Sequence, residues 1–282
     1  MACPVTVYRP TASNDARRIV FYLHGGGLVY GERDDLPSPY VRAITDAGST
    51  LVCADYPLAP ETALPDIVDA LYETWRTEVA GPIERGDCID YLLFGRSAGA
   101  YLALLLAREI RLRGQDLPQP AGIMSFYGYY NLDEPWVSEP ASAYLALPEV
   151  SLGEVERIVE RGGAPTSGPK AIRYALYVYA RQHEGAWLAL MGLDGATPER
   201  SVSSWSLSAE DLAALPPLFI AASTGDEDVP YRVSKQLSRQ AAHAHMKSAY
   251  YLPHDFDRDV TNPAGMEAYQ AAIAWMDALN TR

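Results

Sequence analysis

The amino-acid sequence predicts an α/β fold in which helices flank a mostly parallel central sheet. The first observation is that short apolar runs, typical of buried strands, alternate with longer segments of helical periodicity. The second is that two of these runs end directly in glycine-rich turns, at 24–27 and 95–99. The third is the length of 282 residues, which suffices for one large domain with an inserted segment.

Strand and helix candidates follow one another in nearly regular order. The apolar runs predict strands at 5–9, 18–23, 50–55, 89–94, 121–127, 218–222 and 247–252. Helical patterns lie between them at 37–48, 65–79, 98–113, 231–244 and 263–279. The helix at 98–113 is the clearest, because its apolar run fits a helix buried against a sheet and Gly114 follows it as a stop signal.

The stretch from 128 to 217 breaks this alternation. It is too long for an ordinary connection between strand and helix. It contains helical patterns of its own at 152–161, 170–181 and 184–191. We therefore predict a core formed by residues 1–127 and 218–282, with an inserted helical cap at 128–217.

Composition and charge narrow the classes of function. The net charge of −13 does not favour nucleic acid or an anionic membrane, because both need basic patches. No apolar stretch is long enough to span a bilayer, and the N-terminus has no features of a signal peptide. The three cysteines cannot all pair and show no metal-ligand spacing. We expect a cytoplasmic protein without a membrane or nucleic-acid partner.

The glycine-rich turns carry the pattern of an acyl-transfer site. Residues 95–99 read Gly-Arg-Ser-Ala-Gly, the G-x-S-x-G spacing of a nucleophile elbow between strand and helix. Residues 24–27 read His-Gly-Gly-Gly, which resembles the turn that supplies oxyanion-hole amides in esterases and lipases of the α/β-hydrolase fold. Ser97 is therefore the predicted nucleophile. The amides of Gly26, Gly27 and Ala98 are the predicted oxyanion hole, where glycine lets backbone approach a substrate.

A serine nucleophile needs a base within hydrogen-bond reach and an acid that orients the base. In the α/β-hydrolase fold the acid and then the histidine follow the serine along the chain. His254 follows the last predicted strand and is the candidate base among five histidines. The others are His24 in the first turn, His183 in the predicted cap, and His243 and His245 at the end of a predicted helix.

The acid is expected after the preceding strand, where Asp226, Glu227 and Asp228 compete. We favour Asp226, because it is nearest the strand end and has Pro230 four residues on, as in the D-x-x-V-P arrangement of many α/β-hydrolases. Asp228 is the second candidate. The acid would fix the tautomer of His254.

Residues 55–61, Asp-Tyr-Pro-Leu-Ala-Pro-Glu, resemble the D-Y-R-L-A-P-E block of hormone-sensitive-lipase-like esterases. The glycine turn, the S-A-G of the elbow and the H-x-F at 254–256 resemble the same family. Two features depart from it: Arg96 stands where the family usually has Asp, and the acid segment Gly-Asp-Glu-Asp-Val-Pro is closer to kynurenine-formamidase-like and prolyl-oligopeptidase-like enzymes. The resemblance implies an α/β-hydrolase-fold esterase, in which we expect Asp55 and Glu61 to be structural.

We therefore expect a serine hydrolase that cleaves a small ester through an acyl-enzyme, without a metal or organic cofactor. An amidase, formamidase or peptidase with the same triad is the alternative, and a non-catalytic binding protein on this scaffold is a third. Tyr129, Tyr130 and Arg96 are candidates to contact a small-molecule ester or amide substrate. We favour packing between cap and core for most of the tyrosines, and for Arg96 the commoner explanation is an ion pair that braces the elbow. A homodimer through an edge strand or a terminal helix stays open.

Overall fold

The structure is a computed structural model that describes residues 2–10, 18–114, 116–159 and 163–279. The strands of its central sheet are β1 (Val5–Tyr8), β2 (Arg18–Leu23), β3 (Ser49–Ala54), β4 (Asp90–Arg96), β5 (Gly122–Phe126), β6 (Leu218–Ser223) and β7 (Ala244–Ala249). They lie in the order β1-β3-β2-β4-β5-β6-β7. The first strand runs antiparallel to β3, and the other neighbouring pairs are parallel.

Helices connect the strands and cover both faces of the sheet. They are α1 (Ser38–Asp46), α2 (Leu64–Trp75), α3 (Gly81–Glu84), α4 (Ala98–Arg113), α5 (Pro135–Ser138), α6 (Ser142–Leu145), α7 (Leu152–Val159), α8 (Lys170–Gln182), α9 (Ala186–Leu190), α10 (Ala209–Ala213), α11 (Tyr231–Gln240) and α12 (Pro263–Ala278). A π-helical turn at Arg76–Ala80 continues α2, and 3-10 turns lie at Pro198–Arg200 and Val202–Trp205. Within the described part of the chain, none of these helices has the length and apolar character needed to cross a membrane.

The sheet separates two apolar layers, because alternate side chains of a strand point to opposite faces. On one face Ile19, Phe21 and Leu23 of β2 pack with residues of α2, α4 and α11. On the other face Val20 and Tyr22 pack with residues of α1 and α12. All residues of β2 are buried, as expected of a parallel strand that is covered on both sides.

The predicted α/β class and mostly parallel sheet are confirmed, and β2 and α4 have the predicted bounds. The prediction is wrong for one helix and one strand. The helix predicted to reach residue 244 ends at Gln240, and the last strand begins at Ala244 and not at Lys247, so His245 lies in a strand. This edge strand mixes polar and apolar residues. The more apolar run after it forms a loop in which Tyr250 and Tyr251 are exposed.

Residues 128–217 carry α5 to α10 between β5 and β6, and we refer to them as the cap. Positions 160 and 161, predicted to end its first helix, lie outside the described residues. Arg173 of α8 connects the cap to the core through an ion pair and hydrogen bonds. Its guanidinium donates to both carboxylate oxygens of Glu61 at 2.7 Å and to the backbone carbonyls of Val29 and Ala59. The cap is thereby held against the loops that follow β2 and β3.

Candidate active site

Ser97 occupies the sharp turn between the end of β4 and the start of α4. Its φ is 53°, a left-handed conformation that costs a non-glycine residue roughly 1–3 kcal/mol. The flanking glycines allow the close packing of this turn. A Cβ on Gly95 would collide with the backbone of Gly99, and one on Gly99 would collide with the backbone of Leu23 and His24. The G-x-S-x-G spacing is therefore a steric requirement of the strand, turn and helix.

The structure brings three of the predicted side chains together at this turn. Nε2 of His254 lies 2.8 Å from Oγ of Ser97, and its Nδ1 lies 2.7 Å from Oδ2 of Asp226. The other oxygen of Asp226 accepts the backbone N–H groups of Asp228 and Val229, each at 2.9 Å. This arrangement keeps the imidazole proton on Nδ1, so that Nε2 is the atom able to accept a proton from serine.

Asp228, the second candidate acid, contacts the cap and not the base. The hydroxyl of Tyr177 lies 3.0 Å from both of its carboxylate oxygens, and Nε of Arg181 lies 3.5 Å from Oδ1. Both partners belong to α8. Since the backbone N–H of Asp228 supports Asp226, α8 also holds the acid loop in place.

The acids around His254 set its charge. Burial disfavours the imidazolium, but the carboxylate of Asp226, aided by Asp228 and Asp255, outweighs burial and raises the pKa of His254 to about 9. A general base must be neutral before it can accept a proton. The neutral form of the imidazole is therefore increasingly favoured as the pH rises towards this value.

Backbone amides lie on both sides of the nucleophile. Ala98 is the first residue of α4, where the N–H groups have no partner within the helix and the helix dipole favours negative charge. On the other side, a Cβ on Gly25 would come within 3.3 Å of the Cβ of Ser97. The glycine turn thus passes directly beside the serine, as an oxyanion hole requires.

The cap contacts Gly27, one of the two predicted oxyanion glycines. Gly26 and Gly27 have φ values of 107° and 60°, which favour glycine. A side chain on Gly27 would also collide with the ring of Tyr177. The carbonyl of Gly27 accepts the indole N–H of Trp187 at 2.9 Å. The conformation of the glycine turn therefore depends on the cap as well as on its own sequence.

A cavity of about 310 Å³ opens at the nucleophile. Its wall includes the glycine turn, Ser97 and His254, with Tyr177 from the cap and the cations Lys170 and Arg258. A second cavity of about 550 Å³ shares His254 and Lys170 with the first. The smaller cavity is at the low end of the range for ligand pockets, which suits a small substrate.

Tyr129 and Tyr130, the predicted candidates for substrate contact, lie away from the two cavities at the nucleophile. In the described chain, neither of them lines either cavity. Tyr129 is fully buried, stacks on Tyr101 at a ring-centroid distance of 4.8 Å, and packs edge-on against Trp136 and Trp187. The buried tyrosines fill the interface between cap and core, which was the packing alternative.

Arg96 lines the cavity, but its guanidinium already makes hydrogen bonds and ion pairs with other protein side chains. Its Nη2 lies 3.1 Å from Oδ1 of Asp257, its Nε donates to the hydroxyl of Tyr127 at 2.6 Å, and its Nη1 lies 3.5 Å from Oδ2 of Asp35. The side chain is 7% exposed. These contacts match the alternative of an ion pair that braces the elbow.

Sequence reasoning alone does not single out Tyr177, Trp187 or Asp257. Tyr177 and Trp187 reach the site from the cap, whose fold no motif specifies. Asp257 has one local signal, because it stands three residues after His254 in the sequence His-Asp-Phe-Asp. Spacing of that kind does not reveal a partner on a distant strand, so the contact is visible only in the structure.

Comparison with known proteins agrees with the observed fold. A sequence profile of the α/β hydrolase fold matches residues 20–258. The structure of an α/β hydrolase superfamily protein from Enterococcus faecalis is 30% identical, with a TM-score of 0.80 over 100% of this chain and 98% of that chain. A protein of unknown function from Staphylococcus aureus is 27% identical, with a TM-score of 0.82 over 99% and 95% of the two chains.

Curated relatives match over shorter stretches. The chain is 35% identical over 149 residues to a non-reducing polyketide synthase of Penicillium rubens, which is 48% of this chain and 6% of the synthase. It is 29% identical over 121 residues to an esterase of Acinetobacter venetianus, which is 43% of this chain and 38% of that esterase. The chain thus spans well under two thirds of the length of either relative.

Proposed function

The chain belongs to the α/β-hydrolase-fold family, and from this premise we propose that it is a serine hydrolase of small carboxylic esters. The observation that carries the proposal is the unbroken hydrogen-bond relay from Asp226 through His254 to Ser97, at 2.7 and 2.8 Å. Such a relay activates a hydroxyl that is otherwise a weak nucleophile. The adjoining glycine turn supports the same reaction, because acyl transfer needs backbone donors for the carbonyl oxygen.

The reaction begins when Oγ of Ser97 attacks the carbonyl carbon of the ester and Nε2 of His254 accepts the hydroxyl proton. The carbonyl oxygen becomes negatively charged in the tetrahedral intermediate, and the amides of Gly26, Gly27 and Ala98 donate hydrogen bonds to it. His254 then gives its proton to the alcohol oxygen as the carbon–oxygen bond breaks. The alcohol leaves, and an acyl group remains on the serine.

Water completes the cycle by the same route. The oxygen of a water molecule attacks the acyl carbon while His254 accepts one of the water protons. His254 then returns that proton to Oγ of Ser97 as the carboxylic acid leaves. The carboxylate of Asp226 stabilises the imidazolium in both halves of the cycle. The cavity of about 310 Å³ favours short acyl or alcohol groups over long chains.

Replacement of the nucleophile tests this proposal. We expect Ser97→Ala to abolish hydrolysis of p-nitrophenyl acetate above the buffer rate, while the exposed Ser203→Ala serves as a matched control with full activity. Undiminished turnover by Ser97→Ala would refute the assignment. A wild-type protein that neither hydrolyses esters nor reacts with a fluorophosphonate would favour a binding protein on a hydrolase scaffold.

The amide alternative uses the same residues and differs in the bond that is cleaved. The acid segment Gly-Asp-Glu-Asp-Val-Pro favours it, whereas the similarity to the Acinetobacter esterase favours the ester. Ester and anilide substrates that share one acyl group distinguish the two activities. We expect a higher kcat/KM for the ester, and the reverse preference would reassign the protein as an amidase.

A further inference from the structure

A buried polar cluster lies next to the proposed catalytic triad, with Asp257 at its centre. The Asp257 side chain is 0% exposed. Its Oδ1 accepts from the hydroxyl of Tyr127 at 2.6 Å and from Nη2 of Arg96 at 3.1 Å, and its Oδ2 accepts from the hydroxyl of Tyr269 at 2.9 Å. Because Nε of Arg96 also donates to the Tyr127 hydroxyl, the carboxylate, guanidinium and phenol form a closed ring of hydrogen bonds.

The three members of this ring come from three parts of the active site. Arg96 is the last residue of β4 and directly precedes Ser97. Tyr127 is the first residue after β5, and Asp257 follows His254 by three residues. The ring therefore joins the nucleophile turn after β4 to the loop of the base after β7, through a residue that directly follows β5.

Tyr127 touches the base itself. Its ring packs edge-on against the imidazole of His254, with 4.8 Å between the ring centroids. Its φ of 41° is unusual for a tyrosine, and such a conformation persists only where the surroundings hold it. Its backbone N–H donates to the carbonyl of Ala221 at 2.6 Å, while Arg96 and Asp257 hold the phenol end.

Stability alone is a poor explanation for this cluster. A buried ion pair adds little net stability, because the loss of hydration offsets the attraction between the charges. Apolar side chains of similar volume would fill the same space without that penalty. What the charged cluster does provide is a fixed position for the aromatic ring that packs against the imidazole.

We propose that Arg96, Tyr127 and Asp257 act together as positioning residues, which hold His254 at the angle where Nε2 faces the hydroxyl of Ser97. The inference rests on the proposed function, since it concerns the same proton transfer. None of the three residues exchanges a proton with the substrate. Their effect reaches the reaction through the orientation of the imidazole, which must be kept within narrow limits for proton transfer.

The test compares the rate at which variants react with a fluorophosphonate, from about pH 5 to about pH 10. Tyr127→Phe is the principal variant, because it removes the hydroxyl, keeps the ring and changes no charge. We expect its labelling rate per folded molecule to fall at least fivefold. We also expect the pH midpoint of labelling to fall, because an imidazole that is held less firmly interacts less with Asp226.

The charged groups that face His254 are unchanged in this variant, so a shift of the midpoint reports orientation. Asp226, Asp228 and Asp255 act on the imidazole directly, and the wall of the same cavity also carries Glu32, Asp35, Arg96, Lys170 and Arg258. Asp257→Asn and Arg96→Met are expected to slow labelling at least as much. The double variant combines Arg96→Met with Asp257→Asn. If the two residues act as one unit, this double variant labels no more slowly than the slower of the two single variants.

Asp90→Asn is the matched control. It breaks the ion pair with Arg18 at the other end of β4, about 20 Å from Arg96 along the strand. We expect it to lower the melting temperature without changing the labelling rate of the folded protein. The proposal is overturned if Tyr127→Phe labels at the wild-type rate with the wild-type midpoint, as Asp90→Asn does. That result decides the question even if the Asp257 and Arg96 variants fail to fold.

The two proposals fail in different ways. If the protein is not a serine hydrolase, the wild type itself does not label at Ser97. If only the positioning role is wrong, the wild type labels at Ser97 and Tyr127→Phe labels equally fast.

Discussion

Protonation of His254 should limit turnover at neutral pH. The pKa of His254 is raised from 6.5 to about 9, because the attraction of Asp226, aided by Asp228 and Asp255, outweighs the opposing effect of burial. A shift of this size corresponds to about 3 kcal/mol of preference for the charged imidazole. Only the neutral imidazole accepts the serine proton, so kcat/KM should increase with pH through this pKa and level off above it.

Asp226→Asn removes the first of these attractions. Burial remains in the variant, so we expect the midpoint of the profile to move down towards or below 6.5. The plateau of kcat should fall by roughly 10³–10⁴, because the neutral amide no longer selects the tautomer or stabilises the imidazolium. Asp133→Asn, on an exposed loop of the cap, provides a control that removes one negative charge away from the site.

The assay is kcat/KM for p-nitrophenyl acetate from about pH 5 to about pH 10, with the buffer rate subtracted at each point. A wild-type midpoint at or below 6.5 would refute the reasoning, since it would show that the carboxylates do not hold a proton on His254. An Asp226→Asn midpoint equal to that of the wild type would assign the shift to other groups.

Three further changes test the contacts of the cap. Trp187→Phe removes the indole N–H that donates to the carbonyl of Gly27, so kcat should fall about fivefold with little change in KM. An unaltered kcat would show that the glycine turn does not depend on this contact with the cap. Glu61→Gln leaves the buried guanidinium of Arg173 without its counter-ion and should lower the free energy of unfolding in urea by about 3 kcal/mol; no change would show that the cap is held elsewhere. The hydroxyl of Tyr129 is buried without a hydrogen-bond partner among the described residues, so Tyr129→Phe should raise that free energy by about 1 kcal/mol, and a loss would reveal an unseen partner.

Much of the fold follows from local sequence because its determinants are local. The strand β2 contains an uninterrupted apolar run from Ile19 to Leu23 that is buried on both faces, and its bounds are predicted correctly. The elbow is readable as a motif of five neighbouring residues, in which Gly95 is crowded by Gly99 and Gly99 by the backbone of Leu23 and His24 at the end of β2. The edge strand β7 has no comparable run, so its position is predicted three residues too late.

The parts that sequence does not predict depend on contacts between distant segments. Arg96 is visible as a departure from the family pattern, but its partner Asp257 lies 161 residues away. The sequence does not tell which aromatic residues of the cap line the cavity and which pack in the core, because this depends on the path of the cap. Tyr129 therefore appears as a substrate contact in the sequence, although its ring lies against Tyr101 in the structure.

The most direct test of the central claim is mass spectrometry of the protein after reaction with a fluorophosphonate. Activation of the serine hydroxyl by His254 predicts one phosphonyl group on Oγ of Ser97, formed as fluoride leaves. The same reaction should fail in Ser97→Ala and in His254→Ala. An adduct on another residue, or labelling of the His254→Ala variant at the wild-type rate, would contradict the proposed relay.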